Sequence, residues 1–513
     1  MIIGKALAHG VVKMYKFKEN QLIMPEDFFL PFGGTLNREN RWVQLAQLIP
    51  WQKIEERYAS TFKKATAKGT KPFSAHIAVG ALILQQRQGI TDRETVQQIT
   101  ENPYMQYFLG LEAFQERPLF HHSMMTRFRK RLKAKDINQI NEWVLSSEQK
   151  QKADEKEDDP QDPKPPSGLP ENQEADKETA KEPENHGKLL LDATCTPADI
   201  AYPTDVSLLD QARQKLEQII DALYQPIQKS LKRKPRTYRN KAHKAYLAIA
   251  KQRRPGASKR RKAVGRQLRF VSRDLTIIQK LMAKSSLTLL PAAHYRLLLI
   301  ISELYRQQQW MYDHRKNRIE DRIVSLSQPH VRPIVRGKAK ATVEFGAKVA
   351  ISLVNGDVRM EQLDWDNFNE GLTLKGSVET YLQRYGYYPE AVLADTLYRN
   401  RDNLAYCKLH HIRLSGPRLG RRTKDEQIRK MDQEIAQLDF KGRIPVEGKF
   451  GEGKRRYGLS RIYTTLRATS ETVIALQFLV MNLERRLRVF LSIFYHFTFF
   501  QRIQAHFDSI RVA

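Results

Sequence analysis

A chain of 513 residues has room for roughly two to four domains with ample core. Its formal charge of +30, from 87 Lys and Arg against 57 Asp and Glu, favours nucleic acid, or less often an anionic membrane surface, as partner. Only two cysteines occur, Cys195 and Cys407, far apart and outside any CxxC or Cys/His cluster, which argues against a disulfide scaffold and a structural zinc site and points to a reducing, intracellular setting.

The first residues contain no apolar run long enough for a signal peptide, and Met14 offers an alternative start; residues 1–39 read as an N-terminal extension. Residues 40–145 read as a helical domain, with apolar spacing in WVQLAQLIPWQKIEERYA and a capping box from Thr91 to Glu94. Its last basic stretch, HHSMMTRFRKRLKAK (121–135), carries Arg127, Arg129 and Arg131 and suits the final helix of a helix-turn-helix DNA reader. The plainer reading is a solvated charged face.

Residues 146–187 have almost no large apolar side chain and cannot offset their ordering entropy, so they read as a disordered linker. Within it, 148–186 hold 13 acids and 6 Lys, which leaves the rest of the chain more basic than the whole. KLLLDAT (188–194) then reads as a short buried strand carrying Asp192. A helical stretch follows from about 205 to 325, in which Ala222 to Arg273 carries 18 Lys or Arg and no acid. Lys232, Arg233, Lys234, Arg260 and Arg261 lie in its densest runs, and charge at that density favours a nucleic-acid surface.

Period-two patterning appears in 341–365, two strands joined at Asn355-Gly356. Next come a helix over LKGSVETYLQRYG, a strand EAVLAD (390–395) ending on Asp395, a helix from about 400 to 409 and a strand HIRLSG (411–416). A charged helical spacer (421–440), the stretch RIPVEGKFGEGKRR (443–456) and long helices complete the chain. The aromatic run VFLSIFYHFTFF (489–500) is too short to span a bilayer and reads as a buried helix or an oligomer contact.

Asp192 and Asp395 each end a short apolar strand, at the rim where open α/β sheets bind ligands. If these strands run side by side, the two carboxylates converge as hard oxygen ligands for Mg²⁺ or Mn²⁺. A two-metal phosphoryl-transfer site normally needs a third carboxylate. Asp205 reads as an N-cap, Asp364, Asp366 and Asp402 as loop or cap residues, and Glu344 as a strand ion-pair partner. The adjacent pairs His121/His122 and His410/His411 lack metal-ligand spacing.

LDATCTPADIAYPTDVSLL (191–209), VLADTLYRNRDN (392–403) and RIPVEGKFGEGKRRYGL (443–459) together resemble the three catalytic blocks of the DDE transposases of bacterial insertion sequences, in the IS-four/IS-five-like superfamily. The third block of that superfamily, Tyr-x2-Arg-x3-Glu-x6-Lys, is matched by Phe440, Arg443, Glu447 and Lys454, with Phe in place of Tyr. Residues 40–135 are similar to the helical N-terminal domain of the same proteins. The resemblance implies an α/β ribonuclease-H-like catalytic core (188–480) with a helical insertion at about 205–325, preceded by the all-helical domain and followed by a C-terminal helix (481–513). It implies Asp192, Asp395 and Glu447 as catalytic ligands of two Mg²⁺ or Mn²⁺ ions, with Arg443 and Lys454 on DNA phosphates. Glu452 keeps the reading of an ordinary ion-pair partner. The implied activity is cleavage at transposon ends and strand transfer into target DNA, by a bacterial cytoplasmic, nucleoid-associated protein. Its partners would be double-stranded terminal inverted repeats and target DNA, with a homodimer formed in synapsis and no membrane. A nuclease or resolvase without strand transfer and an inactive DNA-binding remnant are the alternatives.

Overall fold

The computed structural model describes residues 22–62, 72–157, 185–231, 233–284, 286–335, 343–417 and 425–512. Seven helices come first: α1 (Arg41–Gln47), α2 (Trp51–Ser60), α3 (Ala75–Gln88), α4 (Asp92–Glu101), α5 (Pro103–Phe108), α6 (Ser123–Arg131) and α7 (Ala134–Glu157). The caps follow local chemistry: the Thr91 hydroxyl accepts the Glu94 N–H at 3.2 Å to start α4, and Asn102 caps α5 with Pro103 in the first turn. Helix α7 continues through residues 146–157, which the sequence reading had given to a disordered linker. The physical reason is propensity: Glu, Gln, Lys and Ala extend a helix already nucleated by a packed amphipathic turn, even with nothing apolar to bury. Linker residues 158–184 lie outside the described residues.

A mixed sheet of six strands follows, β1 (Lys188–Pro197), β2 (Arg332–Val335), β3 (Val343–Val354), β4 (Asp357–Asp364), β5 (Ala391–Leu393) and β6 (Arg413–Leu414), in the order β2-β3-β1-β5-β6 with β4 also pairing β3. Strands β1, β2 and β4 run antiparallel to β3, while β5 runs parallel to β1 and β6 parallel to β5. The β3–β4 hairpin turns at Asn355 (φ 51°) and Gly356 (φ 86°), as the Asn-Gly pair predicts. Strand β2 has no counterpart in the sequence reading, because four residues including Pro333 give no periodic signal.

Between β1 and β2 stand four helices, α8 (Asp205–Tyr224), α9 (Arg239–Ala250), α10 (Ala257–Met282) and α11 (Ala292–Asp313), with their own core around Leu216, Ile220, Val271 and Ile301. Thr204, not Asp205, caps α8, in a capping box with Ser207. The Asp205 carboxylate instead accepts from Gln308 at 2.9 Å and Arg322 at 2.6 Å, tying α8 to α11 and the chain beyond it.

After β4 come α12 (Leu374–Tyr385), α13 (Arg401–Leu409), α14 (Glu426–Arg456) and α15 (Arg467–Val512). Alternate residues of β1 serve different faces: Leu190 joins a core shared with the N-terminal helices and α15, and Leu189 and Leu191 join a second with Val378, Tyr381 and Tyr398. Helix α15 is a single element across the expected boundary at 480/481 and packs against α7, α3, α6 and β4. Its residue Asn482 is fully buried and donates to Asn141 (2.8 Å) and the Val358 carbonyl (2.7 Å) while accepting the Val358 N–H (2.9 Å). Among the described residues no helix is long and apolar enough to cross a membrane.

Candidate active site

Strands β1 and β5 lie side by side and parallel, their register ending at Leu190 opposite Leu393. Two residues further on, Asp192 and Asp395 line one cleft of about 520 Å³, together with Lys348, Asn367, Asn369 and Glu370; Asp395 lies just past β5, whereas Asp192 sits midway along β1, which runs on to Pro197 against β3 instead of ending at the aspartate as the sequence suggested. Burial raises the Asp192 carboxyl to about 6; the bond from the Ala193 N–H (2.8 Å) opposes this, and the charges of Glu370 and Asp395 add to it. Asp192 makes no ion pair among the described residues. Asp395 is half-exposed and spends one oxygen capping the turn at Thr396 (2.6 Å).

Helix α14 reaches Asp395 through Arg443. Arg443 stands between two acids, its guanidinium 3.9 Å from Asp395 and 4.0 Å from Glu447 one helical turn on. The Glu447 side chain is 59% exposed and lies outside the cleft lining. The geometry thus brings Asp192 and Asp395 together and holds Glu447 at one remove, across Arg443. Among the described residues no three His, Cys, Asp or Glu side chains are gathered closely enough to hold a metal ion. Lys454 is half-buried further along α14, and Phe440 is exposed. Glu452 is held by Lys449 (3.1 Å) and Arg488 (3.3 Å), an ion-pair role as expected.

Close approach accounts for Gly442 and Gly453, while Gly448 and Gly451 have no such neighbour. A Cβ at Gly442 would stand 2.8 Å from the Leu393 side chain of β5, and one at Gly453 would overlap Leu459. Bare backbone at both points lets α14 lie against the sheet and α15 despite the helix-weakening cost.

Glu370 was not singled out in the sequence, although it ends the run LDWDNFNE. It pairs with Lys348 at 2.9 Å across the cleft floor. Gly371 beside it has the Leu397 carbonyl where a Cβ would fall, at 2.7 Å, and Asn403 donates to the Gly371 carbonyl at 2.7 Å. That close approach seats Glu370 opposite Asp395, and only the folded chain reveals it.

The family model for "Transposase DDE domain" matches residues 392–484, spanning Asp395, Arg443, Glu447 and Lys454 but not Asp192. A second, "Transposase domain (DUF772)", matches residues 32–131, the N-terminal helices up to the end of α6. Both matches are to transposase domains, one over the N-terminal helices and one from β5 into α15. An uncharacterized protein of Rhizobium meliloti, ORF8 in the nfe locus, is 28% identical over 188 residues, which is 36% of this chain and 74% of that protein. No solved structure matches the chain.

The DNA contacts expected from the sequence fall in different settings. Arg127 is exposed on α6. Arg129 departs from the expectation: it is 7% exposed and spends its guanidinium on both oxygens of Asp92 (2.9 and 2.5 Å) and on Gln85 (2.8 Å). A basic helix has an inward face, and there a paired arginine holds α6 to α3 and α4. Arg131 lies over the Phe62 ring at 3.8 Å. In the insertion, Lys234 pairs with Asp221 (2.9 Å), Arg261 covers Tyr312 (4.1 Å), Arg260 lines a cavity beside Tyr202, and Arg233 is exposed. Lys232 lies outside the described residues.

Proposed function

We propose that this chain is a DNA transposase that cleaves phosphodiester bonds at transposon ends and transfers the freed 3′-hydroxyl strand to target DNA. The observation that carries the reading is the placement of Asp192 and Asp395, each two residues past the last paired position of the adjacent parallel strands β1 and β5, in one cleft, with Arg443 3.9 Å from Asp395. A ribonuclease-H-like core is supported by the strand order β4-β3-β1-β5-β6, antiparallel on one side of β1 and parallel on the other.

The donor chemistry suits a hard divalent cation, although no three of the carboxylates stand close enough to hold one as they lie: Asp192 is a largely desolvated carboxylate with a single hydrogen bond and no ion pair among the described residues, and the cleft offers further oxygens from Asp395, Glu370 and Asn367. Asp192 and Asp395 would hold the ions, with Glu447 as the third carboxylate of the proposal. When bound, a pair of such ions activates the attacking oxygen and stabilises the leaving one in an in-line displacement at phosphorus. Arg443 balances the charge of Asp395 and Glu447 and is placed to contact a phosphate as it enters. Lys348 neutralises Glu370 at the cleft floor. Two ends must be brought together for transposition, so the working form is proposed as a homodimer on double-stranded DNA.

The test is Mg²⁺-dependent cleavage and joining on a plasmid carrying the element's ends plus a labelled target duplex. Asp395→Asn is expected to lower cleavage by about a hundredfold or more while DNA affinity in EDTA is unchanged. Cleavage by the unaltered chain with no joined product would replace the transposase reading by that of a nuclease.

A further inference from the structure

The insertion places cations where the sequence runs did not point. Helices α9 and α10 pack directly against each other and leave a groove of about 730 Å³. Lys241 and Lys244, one turn apart on α9, face Arg266, Arg269 and Arg273, spaced three and four apart on α10, across a floor that includes Ala245 and Ala248. No carboxylate lines the groove, and among the described residues Lys241, Lys244, Arg266 and Arg269 make no ion pair. Where acids stand near, the insertion's cations take them: Lys234 and Arg239 take Asp221, and Arg213 takes Asp210 and Glu217. Unmatched charge held at this density costs folding energy unless a polyanion compensates it.

At the mouth of the groove stands Tyr238. It starts α9 with φ 55° and ψ 35°, a left-handed conformation that costs an aromatic residue energy, and its side chain caps nothing. Packing does not repay that cost, since the residue is 47% exposed. Its ring lies under the Arg273 guanidinium at 4.7 Å, so one face is held by a cation at the groove's end.

We infer that this groove binds a single DNA strand, its backbone phosphates on the five cations and an unpaired base stacked on Tyr238. Size selects the strand form: a groove of about 730 Å³ takes a short stretch of one sugar-phosphate chain, whereas a duplex would touch only its rim. A basic groove with an aromatic platform is the combination that grips unpaired bases without reading sequence. The choice of DNA over RNA rests on the transposase reading; the groove itself does not. The ligand class is new relative to that reading, which needs only duplex ends and target.

The experiment measures anisotropy of a labelled oligothymidylate and of a blunt duplex with the full chain in EDTA, where cleavage chemistry is absent. Tyr238→Asn removes the ring while giving the left-handed position a residue that tolerates it, so folding is kept, and thermal melting checks this. The expected result is oligothymidylate affinity about tenfold or more weaker in Tyr238→Asn, near normal in Tyr238→Phe, with duplex affinity unmoved by either. Arg269→Glu is expected to lower the slope of log affinity against log salt by about one. Equal oligothymidylate affinity in Tyr238→Asn and wild type, equal losses for strand and duplex, or an unchanged salt slope would each overturn the inference. Loss of cleavage in Asp395→Asn bears only on the catalytic reading, which keeps the two failures distinct.

Discussion

Asp274 shows how far burial alone can move a side chain. It is 0% exposed on α10, and neither carboxylate oxygen has a hydrogen-bond partner among the described residues. Burial raises its carboxyl to about 7, the charge of Glu217 adds to this, and Arg213, Arg273 and Arg239 pull it down. A folded-state value above the unfolded one means the native chain holds the extra proton, so this group's contribution to stability is present at low pH and is lost as pH rises from about 4 to about 7. Asp274→Asn is therefore expected to raise stability by about 1–3 kcal/mol at pH 8 and to change it little at pH 4, as read by thermal melting across that range. Arg129 makes the opposite case. Arg129→Ala leaves Asp92 and Gln85 without their partner and should cost about 2–4 kcal/mol, a loss of melting temperature, whereas Arg127→Ala should leave the melting temperature unchanged.

Elements meet at points where a side chain would not fit. Gly346 on β3 faces Pro197 on β1, and a Cβ there would run into the Thr196 carbonyl oxygen and the Pro197 Cα. Those atoms are backbone and cannot turn aside, so Gly346→Ala should cost about 1–3 kcal/mol and shift the denaturation midpoint without changing the fold. The strand it secures is the one that carries Asp192. Helix α14 shows the same economy: Gly442 and Gly453 give it its seat on β5 and against Leu459, which fixes where Arg443 reaches Asp395.

At the scale of the molecule, one hydrophobic core runs from Trp42 and Phe108 through Ile351 and Val358 to Leu479 and Met481, joining the N-terminal helices to the sheet through α15. The polar centre of that junction is the trio Asn482, Asn141 and the Val358 backbone. Asn482→Leu strands a buried amide and a buried carbonyl, and about 2–4 kcal/mol should be lost. Because Asn141 and Val358 belong to different parts of the chain, sheet and N-terminal helices should melt in separate steps in the variant and together in wild type, a difference calorimetry resolves. The two segments share this core across the linker that the sequence reading drew between them.

Local chemistry settled what the sequence could say alone. The N-cap at Thr91, the Asn355-Gly356 hairpin, the period-two strands and the apolar runs leading to Asp192 and Asp395 depend on near neighbours, so spacing exposes them; of the expected capping box only the Thr91 half forms, since Glu94 turns to Gln98. The extension of α7 past 145 was missed because polar composition marks the absence of a core, not the absence of a helix. Which cations pair was not legible either: Arg129 and Lys234 meet acids 37 and 13 residues away in sequence, while Lys241 and Arg269 meet none among the described residues. Only tertiary structure brought Glu370 to the cleft, set Glu447 behind Arg443 and opened a groove under Tyr238. The physical reason is range. Propensity and periodicity act over a few residues, whereas burial and charge pairing are decided by what packing brings together from anywhere in the chain.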